Sequence, residues 1–226
     1  MLSDQQIERY SRQIILPQLG GRGQEALLAA SIAIAGSAAI STAAAMYLAA
    51  AGVGRLALSA PAPLSAIDGL NPDCRTTALP TRLTRAAGDE VANCDAVLVC
   101  GAASGTWQIL NAACVAQHTP LLWGETAGSR GLVGVFAGHR PASACAACAR
   151  AQAAQLLSGG DAYDGLADAT AAFVGTLLAT AALKILVGLE ALPCASLLAY
   201  DAVAGTVDAV GLTRDPRCAD CGAPRA

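Results

Sequence analysis

The sequence predicts an α/β fold, built on a Rossmann-like, doubly wound sheet in which parallel and antiparallel strands are mixed. Residues 31–58 are patterned as a strand, a turn, a helix and a second strand. Short apolar runs continue to alternate with helical stretches further along the chain. At 226 residues and 54% hydrophobic composition, the chain can also bury a large core. We therefore expect a single domain over residues 1–226.

The predicted domain has three parts along the chain. Residues 1–30 form a polar, helical N-terminal arm, with Arg9 and Arg12 on a face away from its apolar residues. Residues 31–144 form the Rossmann-like core, and residues 145–226 close the domain with a helix and a C-terminal hairpin. The predicted elements are strands at 31–36, 55–58, 95–100, 121–123 and 131–136 (the last antiparallel), helices at 41–52, 107–117 and 169–187, a crossover connection at 151–168, and a hairpin of 197–200 with 206–212.

Composition excludes several classes of protein. The formal net charge of −3 excludes a general nucleic-acid binder, which needs a basic face. Residues 26–54 carry no charge and are long enough to span a bilayer, which takes roughly 20 apolar residues. This run is rich in alanine and poor in large aliphatic residues, so we interpret it as buried core, with no membrane contact. The N-terminus lacks a basic leader, and the expected location is the cytoplasm.

Two Cys-x-x-Cys pairs are the strongest chemical signal in the sequence. Cys145 and Cys148 form the first pair, and Cys218 and Cys221 form the second. Together they supply four thiolates, the ligand set of a closed, structural Zn²⁺ site. Such a site would crosslink the C-terminal segment to the middle of the chain. Redox pairs or a chance pattern are the alternatives, although neither pair has a thioredoxin-like context. The remaining cysteines are interpreted as small buried hydrophobes: Cys74, Cys94, Cys100, Cys114 and Cys194.

The turn after the first strand is where a nucleotide-binding fold places a glycine-rich loop, so that the backbone can approach a phosphate. Here the turn has one glycine, Gly36, followed by Ser37 and, after residues 38–40, by Ser41. A carboxylate that could hold a ribose is also missing after the second strand, where the sequence reads Ser59-Ala-Pro-Ala. These residues indicate a nucleotide site that is degenerate.

Taken together, several segments resemble the ThiF/MoeB/HesA family. The N-terminal signature is matched by Arg-Tyr-Ser-Arg-Gln-Ile-Ile-Leu-Pro at 9–17, and the end of the first helix by Leu-Ala-Ala-Ala-Gly-Val-Gly at 48–54. The two cysteine pairs match the zinc site of the family. The resemblance extends from about residue 3 to residue 222, with further landmarks at 70–73, 110–114 and 120–121.

The resemblance implies a ubiquitin-activating-type fold. Members use ATP and Mg²⁺ to adenylate the C-terminal Gly-Gly carboxylate of a ubiquitin-fold sulfur carrier, which then becomes a thiocarboxylate. It also implies a dimer in which an N-terminal arginine, here Arg9 or Arg12, reaches the nucleotide of the neighbouring subunit. The alternative for both arginines is an ion pair at the surface or at an interface. The neighbour would be a second copy of the chain or an active paralogue.

The sequence departs from the family where the nucleotide would bind. No Arg or Lys lies between Ser59 and Leu70, where the family holds the phosphates. The metal-binding Asp corresponds to Ala102 and a further arginine to Trp107, and no cysteine lies in the crossover connection. Losing one such charged contact costs roughly 2–4 kcal/mol of transition-state stabilisation. We therefore expect slow adenylation, and doubtful ATP and Mg²⁺ binding, from the chain alone.

Three hypotheses about function follow. The first is a pseudoenzyme scaffold or partner subunit that dimerises and binds a ubiquitin-fold sulfur carrier. The second is an active adenylyltransferase with a remodelled site, in which Arg75, Arg82 or Arg130 takes over the phosphates. The third is that the cleft in which the family binds its nucleotide holds a less charged ligand here, beside Trp107.

Other polar residues are assigned structural roles. We expect His118 at a helix end, His139 in a loop, and Lys184, the single lysine, snorkelling or paired on an apolar helix. Asp68 and Asp73 are expected to be turn residues, not metal ligands.

Overall fold

A mixed sheet forms the centre of the chain in the computed structural model, which describes residues 1–36, 38–59, 67, 69–80, 83–101, 105–140, 143–189 and 196–222. Its strands are β1 (Ser31–Gly36), β2 (Arg55–Ser59), β3 (Arg75–Leu79), β4 (Ala96–Cys100), β5 (Leu121–Ala127), β6 (Arg130–Phe136), β7 (Ser196–Asp201) and β8 (Thr206–Gly211). Across the described ranges these strands form one eight-stranded sheet in the order β3-β2-β1-β4-β5-β6-β7-β8. Strands β1 to β5 pair in parallel, whereas β5 to β8 pair antiparallel.

Helices cover both faces of this sheet. The arm contains α1, whose first turn is capped by the side chain of Ser3 in a capping box. A 3₁₀ helix, Gly160–Leu166, leads into the last long helix. The helices are α1 (Asp4–Arg9), α2 (Ser11–Ile14), α3 (Gly20–Ala29), α4 (Ala38–Ala51), α5 (Arg85–Val91), α6 (Thr106–Gln117), α7 (Ala146–Leu157) and α8 (Ala167–Leu186).

The core has two layers because side chains alternate along each strand. Ile32 and Ile34 of β1 face a cluster that includes α4 and α8, whereas Ala33 and Ala35 face a cluster that includes α5, α6 and α7. Helices α4 and α8 approach closely at Gly175, where a Cβ atom would lie 2.4 Å from a backbone oxygen of α4. Small residues therefore set the thickness of this layer.

The structure confirms the predicted fold class and corrects parts of the predicted element list. The first strand–helix–strand unit, the antiparallel β6 and the C-terminal hairpin are where we predicted them. Within the segment predicted as a crossover connection, 151–168, the residues through Leu157 belong to α7 and Gly160–Leu166 form the 3₁₀ helix. Strand β3 and helix α5 were not predicted.

One helical stretch, Tyr163–Leu186, is long and apolar enough to cross a membrane by length and composition alone. Core helices meet the same criterion, and buried residues of α8 such as Val174 and Leu178 pack in the core cluster with β1 and α4. The uncharged run at 26–54 contains β1 and most of α4, as expected for buried core.

Candidate functional site

The predicted nucleotide site lies at the edge of the sheet where β1, β2 and β4 end. Gly36 closes β1 with a φ of +125°, and a Cβ atom there would lie 2.0 Å from the backbone oxygen of Cys100. Its N–H group donates a hydrogen bond of 2.9 Å to Oγ of Ser59. Close packing of β1 on β4 is therefore sufficient to require this glycine. The Ser59 hydroxyl lies at the end of β2, close to where a nucleotide-binding fold places its ribose-binding carboxylate.

The other serines predicted beside Gly36 do not add to this site. Ser37 and Ala102, the position predicted to replace a metal ligand, lie outside the described residues. Ser41 is 1% exposed in α4, so its side chain is part of the interior.

A stack of aromatic and charged side chains lies beside this edge, where β4 and β5 end. The rings of Trp107 and Trp123 are nearly parallel, with centroids 6.5 Å apart. Cζ of Arg150 lies 5.2 Å from the Trp107 centroid and 5.6 Å from that of Trp123, within the range of cation–π attraction. Nη1 of Arg150 is 2.8 Å from a carboxylate oxygen of Glu125. The position aligned with a family arginine, Trp107, is thus covered by an arginine from α7.

Sequence reasoning missed Arg150 and Glu125, and it misplaced Arg75. Arg75 begins β3 at the opposite edge of the sheet, so it cannot contact a ligand beside Gly36. Arg130 lies at the correct edge but pairs with Asp201 at 3.3 Å. Arg82 lies outside the described residues.

The arginines of the N-terminal arm also lie away from the Gly36 edge. Nε of Arg9 is 3.4 Å from a carboxylate oxygen of Asp73, just before β3, and Arg12 is exposed. The hydroxyl group of Tyr10 donates to the same Asp73 oxygen at 2.9 Å and accepts a 2.9 Å hydrogen bond from the Asn71 amide. Burial raises the pKa of Tyr10 to about 12. Asp73 is therefore an anchor for the arm, and Arg9 and Arg12 do not join Gly36 within one chain.

The four cysteines of the two predicted pairs come together as one cluster. Their Sγ atoms all lie within 4.8 Å of one another. The separations are 3.7 Å for Cys145 and Cys218, 3.5 Å for Cys148 and Cys221, and 4.0 Å for Cys145 and Cys148. In a tetrahedral site with metal–sulfur bonds of about 2.3 Å, neighbouring sulfurs are about 3.8 Å apart. The donor set and its spacing therefore fit a tetrahedral metal ion.

Backbone elements hold this cluster and tune its thiols. Cys145 immediately precedes α7, which places Cys148 in the first turn, where a helix favours negative charge. Burial raises the pKa of Cys145 and of Cys221. Burial also acts to raise the pKa of Cys218, but backbone N–H groups of Cys221 and Asp220 contribute to lowering it overall. A metal would require all four groups as thiolates.

Asn111 connects α6 to both cysteine pairs. Its Oδ1 atom accepts a 2.9 Å hydrogen bond from the N–H of Ala146, beside the first pair. Its Nδ2 atom donates to a carboxylate oxygen of Asp220 at 2.6 Å and to Sγ of Cys145 at 3.5 Å. We predicted no role for this residue, although it lies in the landmark at 110–114.

Replacing Asn111 with alanine is expected to loosen metal binding. The Asn111→Ala variant leaves the N–H of Ala146 without its partner, a loss worth about 1–3 kcal/mol. Removal of a residue that orients metal ligands typically weakens binding about 10- to 100-fold. Competition of the zinc-loaded chain with a chromogenic chelator measures this change. Asn93→Ala, at an exposed position, is the matched control, and equal zinc affinity in both variants would contradict the assigned role.

The histidines and the single lysine lie where we expected them. His118 ends α6 in the left-handed conformation, with φ 61°, and His139 lies in the turn after β6. Their ring centroids are 5.1 Å apart. Burial, followed by the charges of His118 and Arg140, lowers the pKa of His139. Lys184 is half-buried in the last turn of α8, where a cation is favoured.

The single cysteines match their predicted role in most cases. Cys74, Cys100 and Cys114 are buried, and Cys94 is half-buried. Burial raises the pKa of Cys100 to about 12, which keeps this thiol neutral and unreactive. Cys194 lies outside the described residues.

Comparison with known proteins places the chain in one family. The family model described as "ThiF family" matches residues 10–59 and 61–221. The chain is 33% identical to the sulfur carrier protein ThiS adenylyltransferase of Escherichia coli over 251 aligned positions, covering 100% of this chain and 99% of that protein. It is 31% identical to the molybdopterin-synthase adenylyltransferase of the same organism, covering 98% of each chain. It is also 31% identical to the sulfur carrier protein adenylyltransferase of Thermus thermophilus, covering 96% of this chain and 92% of that one.

Solved structures support the fold. The structure of E. coli MccB with ATP has a TM-score of 0.73 at 15% identity, covering 95% of this chain and 74% of that one. PaaA has a TM-score of 0.73 at 16% identity, covering 93% of this chain and 84% of that one. Since the family model spans nearly the whole described sheet and both cysteine pairs, the chain belongs to the ThiF family.

Proposed function

We propose that this chain serves in the ATP-dependent activation of a ubiquitin-fold sulfur-carrier protein. The observation that carries the proposal is the family match along nearly the whole chain, together with the names of the full-length relatives. In this reaction the carrier's C-terminal carboxylate attacks the α-phosphorus of ATP. A carboxyl–phosphate bond forms, pyrophosphate leaves, and the carrier becomes an acyl-adenylate.

Catalysis by this chain itself is the version that the relatives' names favour, since they are called adenylyltransferases. The cationic groups described near the Gly36 edge are Arg150, stacked on the two tryptophans, and Arg130. Each already faces an acidic side chain, which phosphates would have to replace. This version therefore requires a remodelled site in which Arg150 exchanges Glu125 for a phosphate oxygen.

A partner-subunit role is the version that the residues of this chain favour. The alignment with the E. coli relative spans 251 positions, so that relative has residues that this 226-residue chain lacks. The shortened segment between Ser59 and Leu70 has no Arg or Lys, and Ala102 replaces the metal ligand. In this version the chain pairs with a second copy or with an active paralogue, and Arg9 or Arg12 reaches the nucleotide of the active paralogue.

Further assignments accompany both versions. Cys145, Cys148, Cys218 and Cys221 hold a structural zinc ion, which supplies a crosslink and no open coordination position. The chain works in the cytoplasm without nucleic acid or membrane.

Exchange of labelled pyrophosphate into ATP tests the proposal and separates its two versions. Catalysis by the chain predicts exchange that needs only the carrier and Mg²⁺. This exchange should be lost in Arg150→Gln and retained in Arg22→Gln, which changes an exposed arginine of α3. A partner-subunit role predicts no exchange alone, but faster exchange after mixing with an active paralogue, with loss of the stimulation in Arg9→Ala or Arg12→Ala. If the chain neither exchanges nor stimulates with any ubiquitin-fold carrier encoded beside it, the proposal is wrong.

A further inference from the structure

A cavity of about 570 Å³ lies between α5 and the face of the sheet formed by β1, β2 and β3. Its lining runs from Arg55 and Arg75, at the amino ends of β2 and β3, to Leu79 and Pro80 at the carboxyl end of β3. Cavities of roughly 300–1,000 Å³ are of the size that small-molecule ligands occupy.

Two arginines stand side by side at this cavity. Arg55 begins β2 and Arg75 begins β3, and the two residues are register partners in the parallel pair. Both are exposed and both line the cavity. Partners in register present their side chains on the same sheet face, where two like charges destabilise each other. Within the part of the chain that the structure describes, neither guanidinium forms an ion pair, unlike Arg9, Arg130 and Arg150.

The rest of the cavity is suited to an apolar body. Its floor is formed by small side chains of the three strands, Ala33, Ala57 and Thr77, which leave room above the sheet. Val91 and Ala87 of α5 form an apolar wall. A ligand with a flexible hydrocarbon portion would therefore bury it between α5 and the strands, while its charged end remained at the arginines.

Among the described residues that line the cavity, the one acidic residue is Glu90 of α5. Two guanidinium groups and one carboxylate leave one positive charge for the ligand to neutralise. An arginine side chain can donate two parallel hydrogen bonds to a carboxylate. Each of the two adjacent arginines can do so. The balance of charge favours a ligand with one negative charge over one with two.

We propose that this cavity binds a monocarboxylate with an apolar tail, whose carboxylate bridges Arg55 and Arg75. The ligand relieves the repulsion between the arginines, and its tail covers Ala33, Ala57 and Thr77. This proposal does not depend on the proposed function, because the two arginines begin β2 and β3, at the edge of the sheet opposite to Gly36, which closes β1.

Binding of octanoate to the intact, zinc-loaded chain tests the proposal by calorimetry. Octanoate is expected to bind more tightly than acetate, which lacks the tail, and than 1-octanol, which lacks the charge. It should also bind more tightly than octyl phosphate, which carries more negative charge. Arg55→Gln and Arg75→Gln should each weaken octanoate binding about tenfold, because each removes a charged hydrogen-bond donor. Arg22→Gln should leave it unchanged.

Thermal unfolding without ligand provides a second, independent readout. Each glutamine variant removes the repulsion, so its midpoint should rise by about 1–3 °C, whereas that of Arg22→Gln should not change. Octanoate binding that is absent, equal in all variants, or weaker than that of octyl phosphate would overturn the proposal. A lower midpoint in both glutamine variants would do so as well, since it would show that the arginines stabilise the chain without a ligand.

Discussion

The chain purified from zinc-containing medium is expected to hold one zinc ion, and Cys221→Ser to hold far less. Four sulfur atoms within 4.8 Å of one another leave a ligand set that zinc satisfies with little rearrangement. The midpoint of thermal unfolding should fall by about 10 °C or more on zinc removal, since structural zinc contributes several kcal/mol and 1 kcal/mol shifts a domain of this size by about 2–4 °C. Elemental analysis and calorimetry measure the two effects.

Cys94→Ser is the matched control for this experiment. Cys94 is half-buried, and its Sγ atom donates to the backbone oxygens of Val91 and Ala96, as a serine hydroxyl can also do. We expect this variant to keep its zinc and most of its stability. Full zinc content in Cys221→Ser, or none in the unmodified chain, would refute the metal site.

The second large effect is expected at Gly36. Gly36→Ala combines two penalties: a side chain at φ +125°, and a Cβ atom placed 2.0 Å from the Cys100 oxygen. Backbone strain costs about 1–3 kcal/mol and overpacking about as much, so we expect a loss of about 3 kcal/mol or more in the free energy of unfolding. Urea denaturation followed by circular dichroism gives this value.

Two other glycines separate the contributions. Gly211 ends β8 without a positive φ, and a Cβ atom added there would meet no other atom within 4 Å, so Gly211→Ala should change stability little. Gly105 has a φ of +103° with open space around it, so Gly105→Ala should show the backbone penalty alone. If Gly36→Ala is no worse than Gly105→Ala, contact with β4 is not the reason for this glycine.

The sequence predicts the elements whose own residues are continuously apolar, because such a run indicates burial by itself. Strand β1 and the buried β4 are continuous apolar runs, which indicate strands in any α/β chain. Edge strand β3 escaped prediction because its residues are mainly polar or exposed. Helix α7 was not predicted because it buries small alanines, such as Ala149 and Ala153, beside polar residues such as Arg150 and Gln152, and this pattern gives little contrast between its faces.

Prediction of the site succeeded where chemistry is local and failed where it depends on distant contacts. A Cys-x-x-Cys turn brings two thiols together by itself, so the cysteine cluster could be anticipated. The stack of Arg150 on Trp107 joins α7 to α6, and the Arg9–Asp73 pair joins the arm to β3. Neither contact has a sequence signature, because each depends on how the sheet brings separate segments together.

The placement of the cysteine pairs also has a consequence for the order of folding. The rest of α7 after Cys148, then α8, β7 and β8, lie between Cys148 and Cys218 in the chain. The cluster can close only after the antiparallel half of the sheet has brought its ends together, which is a slow, non-local event. The proposed zinc ion would then be captured late, by a chain whose sheet is already assembled.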